Sequence, residues 1–514
     1  MNVEVIIVLV ALVGMLAALI MDKMRPGMIL FSVVVLFLCT GILSPKEMLE
    51  GFSNKGMITV AMLFLVSEGI RQSGALTQVI KKLLPQEKTS VFKAQIRMLP
   101  SIAFISAFLN NTPIVVIFAP IIKRWASSVK LPATYFLIPL SYVTILGGIC
   151  TLIGTSTNLV VHSMIQEAGL KAFSLFELGK VGVFIAIAGI IYLFLFSSKL
   201  LPSDRPETSG NEEEQNSTLH LVEAVIGPRF PGINKRVGDF NFKRHYGAEI
   251  KELRRSGHTY TDLGNIRFRE GDTLVVLADD SFIRTWGESS VFLMLANGKD
   301  YEPAGKKKRW FALILLLIMI IGATIGELPA IQRLLPEGIK LDMFFFVSIT
   351  TVIMAWTKIF PPQKYTKYIS WDILITIACA FAISKAMENS GVADLLASYI
   401  IGLSHSHGPY VLLAAMFIIT NIFTELITNN AAAALSFPLA LSISQQLGVS
   451  PMPFFVVICM AASASFSTPI GYQTNLIVQG IGNYKFTDFV RIGLPLNIIT
   501  FLISVFVIPQ IWSF

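Results

Sequence analysis

The chain has 514 residues, 54% of them apolar and only 14% charged, with 41 Lys+Arg against 33 Asp+Glu and a formal net charge of +8. Soluble domains carry about 25% charged residues, so this balance excludes an ordinary soluble protein and indicates a polytopic membrane chain. The basic excess is dispersed among apolar segments instead of forming a basic face, which excludes a nucleic-acid partner and assigns the charge to membrane orientation.

The chain enters an apolar run at Val3 with no basic residue before it, and Lys23 and Arg25 come only afterwards. That order predicts a retained first helix with its N-terminus outside, not a cleaved signal. Runs long enough to cross about 30 Å of hydrocarbon predict spans at 3–21, 27–43 and 57–76. The next apolar stretch, 98–125, is interrupted by Asn, Thr and Pro and is predicted to be a re-entrant hairpin. Polar non-helical backbone survives at membrane depth only where protein or a cavity covers it. An interrupted span at 133–165 and a span at 178–199 complete a first membrane unit, residues 1–200.

Residues 201–309 hold 17 basic and 17 acidic residues, so the whole excess of +8 belongs to the flanking regions. An acidic linker, Pro202 to Ser217, leads into β-patterned runs at 221–226, 248–253 and 273–277 and a helical stretch near 234–244. These predict one small α+β domain with a core over 218–290, followed by Lys306-Lys307-Lys308-Arg309 as a basic stop. The second membrane unit, 310–514, has expected spans at 310–330, 342–358 and 371–390, a hairpin at 411–446, an interrupted span at 453–481 and a last span at 488–512. Cys39, Cys150, Cys379 and Cys459 sit in apolar runs without metal spacing and are expected to be small buried residues.

The two membrane units are copies. Val66 to Gly74 recurs at Ile383 to Gly391 and Thr151 to Leu159 recurs at Thr468 to Leu476, both at an offset of 317. At 318, Asn110-Asn111-Thr112 falls on Thr428-Asn429-Asn430, Ser106 on Thr424 and Pro120 on Pro438. Five spans and one hairpin per copy is an odd number of crossings, which forces the copies into opposite orientations, the inverted-repeat plan of secondary transporters. The expected fold is therefore an all-α polytopic membrane protein of two inverted repeats, each of five transmembrane helices plus one re-entrant hairpin, with a small α+β domain inserted between them. With both termini outside, Lys81, Lys82, Lys88, Lys93, Arg97, Lys123, Arg124, Lys358, Lys364 and Lys367 fall on the inner side, as does the central domain.

Four polar interruptions, Ser106–Thr112, Gly154–Asn158, Thr424–Asn430 and Gly471–Asn475, mark where broken helices meet. A lone Asn or Thr in an apolar run is more often helix-to-helix glue than a ligand. The repeated pairing of hairpin and break reverses those odds. Hydroxyl and amide oxygens suit a hard monovalent cation, and the N–H and O–H groups of the same residues suit an anion held between two cation sites. No Lys or Arg lies in any interruption, so cations and helix dipoles must neutralise that anion. Glu425 is a candidate coupling carboxylate, with capping at the hairpin mouth as the plainer role. Glu68 and Arg71 read as a local pair, His405-Ser406-His407 as an exposed loop without a third metal ligand, and Thr468 to Tyr472 as only a loose likeness to a potassium filter.

At these residues the sequence resembles the divalent anion:sodium symporter family, of the solute carrier 13 type, over both membrane units. Members carry a Ser-Asn-Thr signature in each hairpin and a Gly-Thr-Pro-Pro-Asn-like signature in each broken helix. The first falls here on Asn110-Asn111-Thr112 and Thr428-Asn429-Asn430, the second on Gly154-Thr155-Ser156-Thr157-Asn158 and Gly471-Tyr472-Gln473-Thr474-Asn475. The resemblance implies sodium ligands at Ser106, Asn110, Asn111, Gly154, Thr424, Thr428, Asn429 and Gly471. It implies substrate contacts at Asn111, Thr112, Thr155, Ser156, Asn429, Asn430, Tyr472 and Gln473. Asn430 and the polar residues at the proline positions depart from the dicarboxylate carriers and fit a small tetrahedral oxyanion such as sulfate, with dicarboxylates as the alternative. The family implies Na⁺ coupling, a homodimer in the cell membrane amid lipid, and an elevator motion of a transport domain against a scaffold.

The central segment resembles a TrkA-C regulatory domain at Glu223-Ala224-Val225, Gly232, Lys243 to Ala248, Leu253 to Gly257 and Arg269-Glu270-Gly271-Asp272-Thr273-Leu274. That resemblance implies pairing, and in some proteins a cyclic di-AMP site at the pair interface. A proton-coupled or antiporting relative and a channel-like potassium protein are the remaining alternatives. An enzyme is not expected, since no phosphate loop, zinc spacing or nucleophile motif is present.

Overall fold

The computed structural model describes residues 3–21, 24–85, 89–203, 219–255, 258–279, 282, 286, 291–296, 306–326, 328, 331, 340–403 and 408–514. His405 and His407 lie outside these residues. The first membrane unit contains α1 (Val3–Met21), α2 (Pro26–Cys39), α3 (Lys55–Gln72), α4 (Ala75–Leu83), α5 (Val91–Ser106), α6 (Asn111–Ser128), α7 (Thr134–Gly148), α8 (Ser156–Glu167) and α9 (Gly179–Leu200). The inserted segment contributes α10 (Phe242–Tyr246). The second unit contains α11 (Lys306–Gly326), α12 (Met343–Trp356), α13 (Trp371–Ser390), α14 (Val392–Leu403), α15 (Pro409–Leu426), α16 (Asn429–Leu447), α17 (Met452–Ser463), α18 (Gln473–Gly482) and α19 (Phe486–Ile511).

Element for element the units match. Local chemistry sets the same boundaries twice: Gly74 and Gly391 adopt the left-handed conformation (φ +71° and +75°) and turn the chain from α3 into α4 and from α13 into α14, where an L side chain would be strained. Pro120 and Pro438 interrupt the interiors of α6 and α16. Seven helical segments among the described residues are long and apolar enough to cross a bilayer, so the chain is a multi-pass membrane protein. Apolar side chains line the outer faces of α1, α9, α11 and α19, Val10, Ile187, Leu317 and Phe506 among them. The central pieces α7 and α17 are buried all round.

The halves interlock reciprocally. Helix α2 lies on α13 and α3 on α12; α6 lies on α18 and α8 on α16; α9 lies on its own equivalent, α19. Contacts in which i meets j and j meets i are the mark of a two-fold relation. The expected hairpins are α5–α6 and α15–α16, and the interrupted spans are α7–α8 and α17–α18.

Sequence reading placed several details differently. The third span of the first unit ends at Gln72 instead of 76 and hands over to α4, while that of the second ends at Ser390 as expected and hands over to α14, a helix that periodicity missed. Lys306 to Arg309 form the first turn of α11 instead of a stop before it. The helical stretch expected at 234–244 is confined to Phe242–Tyr246, because Ile233 and Arg236 bridge to Phe268 and Arg267 and Asn234 takes φ +66°. Of the four cysteines, Cys379 and Cys459 are buried, Cys150 is partly so, and Cys39 is exposed.

The inserted domain is a five-stranded antiparallel sheet of order β3-β2-β4-β1-β5: β1 Leu219–Ile226, β2 Glu249–Arg255, β3 His258–Tyr260, β4 Thr273–Asp279 and β5 Phe292–Ala296. Strand β5 pairs with β1, so the domain extends past residue 290, and the short β3 also went unread in the sequence. Alternation along β1 divides its side chains between two partners. Val222, Ala224 and Ile226 enter an aromatic core with Phe230, Phe242, Tyr246, Phe268 and Phe292. Glu223 and Val225 face the helices instead. Lys123 of α6 bonds Glu223 at 3.0 Å and the Ile481 carbonyl of α18 at 3.2 Å, and Arg254 bonds Glu223 at 2.8 Å.

Burial by itself raises the Glu223 pKa, but Lys123 and Arg254 outweigh it and hold the carboxyl below the usual carboxylate range. A depressed folded pKa contributes stability above the unfolded value that is lost as pH falls through the folded one. Lys123→Ala is therefore expected to weaken sheet docking by about 1–3 kcal/mol and to move its acid loss to higher pH. Faster amide exchange along β1 and α18, measured across the acidic range, checks this; unchanged exchange would remove the ion pair from the docking contact.

Candidate functional site

Each hairpin tip is tied to the broken helix of its own half by the same bonds. In the first half the Ser106 hydroxyl lies 2.8 Å from Asn111 Oδ1 and 2.8 Å from the Thr144 carbonyl oxygen. In the second, the Thr424 hydroxyl lies 2.8 Å from Asn429 Oδ1 and 2.6 Å from the Ala462 carbonyl oxygen. A hydroxyl has one proton, so each cluster gathers three oxygens around a single hydrogen and is rich in unshared lone pairs. The breaks are braced alike. Asn158 Nδ2 donates to the carbonyls of Gly148 and Thr151 at 3.4 and 2.9 Å, and Asn475 Nδ2 to those of Ser465 and Thr468 at 2.8 and 3.1 Å.

Glycines let the tip and the break approach. A β-carbon on Gly154 would lie 2.5 Å from the Gly148 carbonyl oxygen, and one on Gly148 would lie 2.8 Å from Asn111 Oδ1. A β-carbon on Gly471 would lie 2.5 Å from the Thr424 carbonyl oxygen and 2.0 Å from Ser465 Oγ. Serine, asparagine and carbonyl oxygens in this concentration fit a hard cation. Asn158 Oδ1 is buried with no hydrogen-bond partner, whereas Asn475 Oδ1 accepts from the Ser141 hydroxyl of the other half at 2.7 Å.

Between the clusters, four helix N-termini converge: those of α6, α8, α16 and α18. Their N-cap residues, Asn110, Thr155, Thr428 and Tyr472, make no side-chain capping bond, whereas Ser90 caps α5 and Asn54 caps α3. Side chains of the two halves meet here. Asn111 Nδ2 donates to the Tyr472 hydroxyl at 2.6 Å, Thr155 lies 3.2 Å from that hydroxyl, and the Thr112 hydroxyl approaches Gln473 Oε1 at 3.5 Å. Ser156 and Thr157 donate to Asn430 Oδ1 at 3.1 and 3.4 Å. Uncapped N-termini carry partial positive charge and free N–H groups, so the locus suits an anion without any Lys or Arg.

Of the residues singled out in the sequence, Ser106, Asn111, Gly154, Thr424, Asn429 and Gly471 form the two clusters. Thr112, Thr155, Ser156, Asn430, Tyr472 and Gln473 form the bridge between halves. Asn110 and Thr428 stand at the helix starts; Thr428 is exposed, and no side-chain bond from either joins the network among the described residues. Glu425 faces away from the bridge, toward Ser467 and Asn497. Glu68 and Arg71 form the expected local pair.

Sequence reading missed the carbonyls of Thr144 and Ala462, which no side-chain signature marks. It also missed Ser141, whose hydroxyl reaches Thr474 and Asn475 at 2.8 and 2.7 Å. The repeat offset was the available signal, since 144 and 462 differ by the same 318 as the tip residues.

The sequence model of the citrate transporter family matches residues 16–336 and 334–514. An uncharacterized transporter of Synechocystis is 28% identical over 94% of this chain and 93% of its own length. A putative sulfur deprivation response regulator of Chlamydomonas reinhardtii is 28% identical over 93% of this chain and 96% of its own. A probable sodium/sulfate cotransporter 3 of the same alga is 30% identical over 57% of this chain, and the match spans 33% of that protein.

Proposed function

The chain belongs to the citrate transporter family, a family of transporters and not enzymes, and from that premise we propose that it is a sodium-coupled symporter of a small divalent anion, with sulfate as the substrate. The observation that carries the reading is the oxygen cluster, rich in lone pairs and poor in protons, built identically in both halves on either side of four uncapped helix N-termini. Sodium in the Ser106–Asn111–Gly154 and Thr424–Asn429–Gly471 clusters supplies the missing positive charge. Thr112, Thr155, Ser156, Asn430, Tyr472, Gln473 and the free N–H groups then hold the anion.

Coupling follows from electrostatics: an anion in a site without basic side chains binds weakly until the cations are in place, so the loaded carrier holds both or neither. The hairpins and broken helices move together as an elevator within a homodimer, with both termini outside and the sheet domain in the cytoplasm. The names of the algal sodium/sulfate cotransporters support sodium and sulfate over a dicarboxylate. The sheet domain serves dimerisation or sensing; equilibrium binding of cyclic di-AMP to the whole protein separates the two.

The test is uptake of labelled sulfate and succinate into proteoliposomes with and without an inward sodium gradient. Sulfate accumulation that requires sodium and outcompetes succinate is the expected result. Uptake indifferent to sodium would overturn the coupling, and preference for succinate would overturn the substrate.

A further inference from the structure

The two breaks carry the same asparagine but hold it differently. Asn475 of α18 is gripped at both ends of its amide. Its Nδ2 donates to the Ser465 and Thr468 carbonyls at 2.8 and 3.1 Å, and its Oδ1 accepts at 2.7 Å from Ser141, which stands on α7 in the other half. An amide oxygen only accepts, so the one proton of Ser141 goes there, and the Thr474 hydroxyl, 2.8 Å away, donates to Ser141 in turn. In the first half Asn158 is held at Nδ2 alone, and its Oδ1 is buried without a hydrogen-bond partner. Helix α17 lies on α8 as α7 lies on α18. At the repeat offset of 318, however, its counterpart of Ser141 is Cys459, a buried thiol and a weak donor.

Ser141 also stands within one helical turn of the first oxygen cluster. Thr144 offers its carbonyl to the Ser106 hydroxyl at 2.8 Å and donates its own hydroxyl to the Ser141 carbonyl at 2.7 Å. At the far end Ser465, whose carbonyl accepts from Asn475, donates its hydroxyl to the Thr424 carbonyl at 3.4 Å, at the tip of the second cluster. An unbroken line of polar groups therefore runs from Ser106 through Thr144, Ser141, Asn475 and Ser465 to Thr424, every one of them fully buried. A buried polar group has no water to replace a lost partner, so a displacement at one end is met by the next group along. No return line exists. Ala462 stands for Thr144, Cys459 for Ser141 and Gly148 for Ser465.

We infer that Ser141 is a positioning residue that couples the two cation sites. A cation held at the Ser106–Asn111 cluster fixes Thr144 and the turn of α7 beside it. Ser141 passes that order to Asn475, which sets the second break in the shape its own cation needs. Coupling between binding free energies is reciprocal, so the second cation strengthens the first by the same factor. The link is made once per chain, by the first half upon the second. Its effect on sodium binding rests on the symporter reading above; the hydrogen-bonded link from cluster to break does not.

Two substitutions that barely change volume test it in the whole protein in proteoliposomes. Ser141→Cys gives the second break the neighbour the first one has, and Cys459→Ser offers Asn158 Oδ1 the donor it lacks. In Ser141→Cys the Hill coefficient for sodium in sulfate uptake is expected to fall toward one, and the half-saturating sodium concentration to rise about fivefold or more. A structural fault alone would lower the maximal rate and leave the Hill coefficient in place. Amide exchange supplies a readout that needs no sodium. Ser106→Ala, which releases the Thr144 carbonyl, is expected to speed exchange in the first turns of α18 when Ser141 is present and to add nothing in the Ser141→Cys background. Cys459→Ser is expected to slow exchange in the first turns of α8. An unchanged Hill coefficient in Ser141→Cys overturns the inference, as does a Ser106→Ala effect on α18 that is equal in both backgrounds. Sodium-independent uptake by the wild type would instead sink the symporter reading, and the exchange result would still decide the link.

Discussion

Asn111→Ala and Asn429→Ala are each expected to make sulfate uptake demand far more sodium while leaving a folded, monodisperse protein. Each removes the amide oxygen 2.8 Å from the tip hydroxyl. The hydroxyl itself keeps an acceptor, the carbonyl of Thr144 or Ala462, so no buried donor is orphaned and the structural cost is small. On the proposed function, what disappears is a ligand to the cation. Losing one interaction with a charged group costs about 1.5–3 kcal/mol, which corresponds to roughly a ten- to hundredfold rise in the half-saturating sodium concentration. Asn111 also loses its bond to the Tyr472 hydroxyl, 2.6 Å away, so its variant is expected to weaken anion affinity as well. Sodium titration of sulfate uptake measures both effects, and variants that saturate like the wild type would remove the tips from the ion sites.

Gly154→Ala and Gly471→Ala carry the second large effect. The added carbon in Gly154→Ala meets the Gly148 carbonyl oxygen at 2.5 Å and the Gly148 α-carbon at 2.8 Å. In Gly471→Ala it meets the Thr424 carbonyl oxygen at 2.5 Å. Backbone is met at both places, so relief in Gly471→Ala requires the tip to withdraw from the break, and relief in Gly154→Ala requires the end of α7, which carries Gly148 against Asn111, to part from the start of α8. Overpacking of this kind costs about 1–3 kcal/mol, and withdrawal also spreads the oxygens of the cluster. The expected outcome is a lower melting temperature together with lost uptake. Gly14→Ala supplies the contrast: a β-carbon there meets nothing within 4 Å, in a helix where alanine is the better residue by about 0.5–1 kcal/mol. Full uptake in Gly471→Ala would show that close approach of tip and break is dispensable, and full uptake in Gly154→Ala that the tight fold of the first break is.

The duplication was legible because it is written along the chain. Ser106 with Thr424 and Asn111 with Asn429 stand at one offset, and the structure gives each pair the same bonds. Hairpins, breaks and most spans followed from hydropathy alone. The short helices α4 and α14 did not, because a single glycine at φ +71° or +75° redirects the chain without changing its composition. In the inserted domain β3 and β5 escaped notice because a strand of three or five residues offers too few alternations to read.

The bridge between the halves was legible only as a set of polar residues. Nothing in sequence order announces that Asn111 meets Tyr472, that Asn430 meets Ser156 and Thr157, or that Glu425 finds Asn497. The first two join residues more than two hundred positions apart and the third joins residues 72 apart; their contact depends on how α6 lies on α18, α16 on α8 and α15 on α19.

By itself the sequence determined that the protein is a duplicated membrane chain with four polar interruptions and no basic residue in any of them. Period, hydropathy and charge are properties of neighbours along the chain, and they suffice for that. The tertiary structure decided which oxygens gather, which helix ends stay uncapped and where the repeat is broken. Lys123 and Glu223 dock the sheet onto α6 and α18, and Glu425 pairs with Asn497 in the second half alone. Both are departures from two-fold symmetry: the first arises from the packing of the inserted domain, and the second from a sequence difference, Ala107 standing at the position equivalent to Glu425.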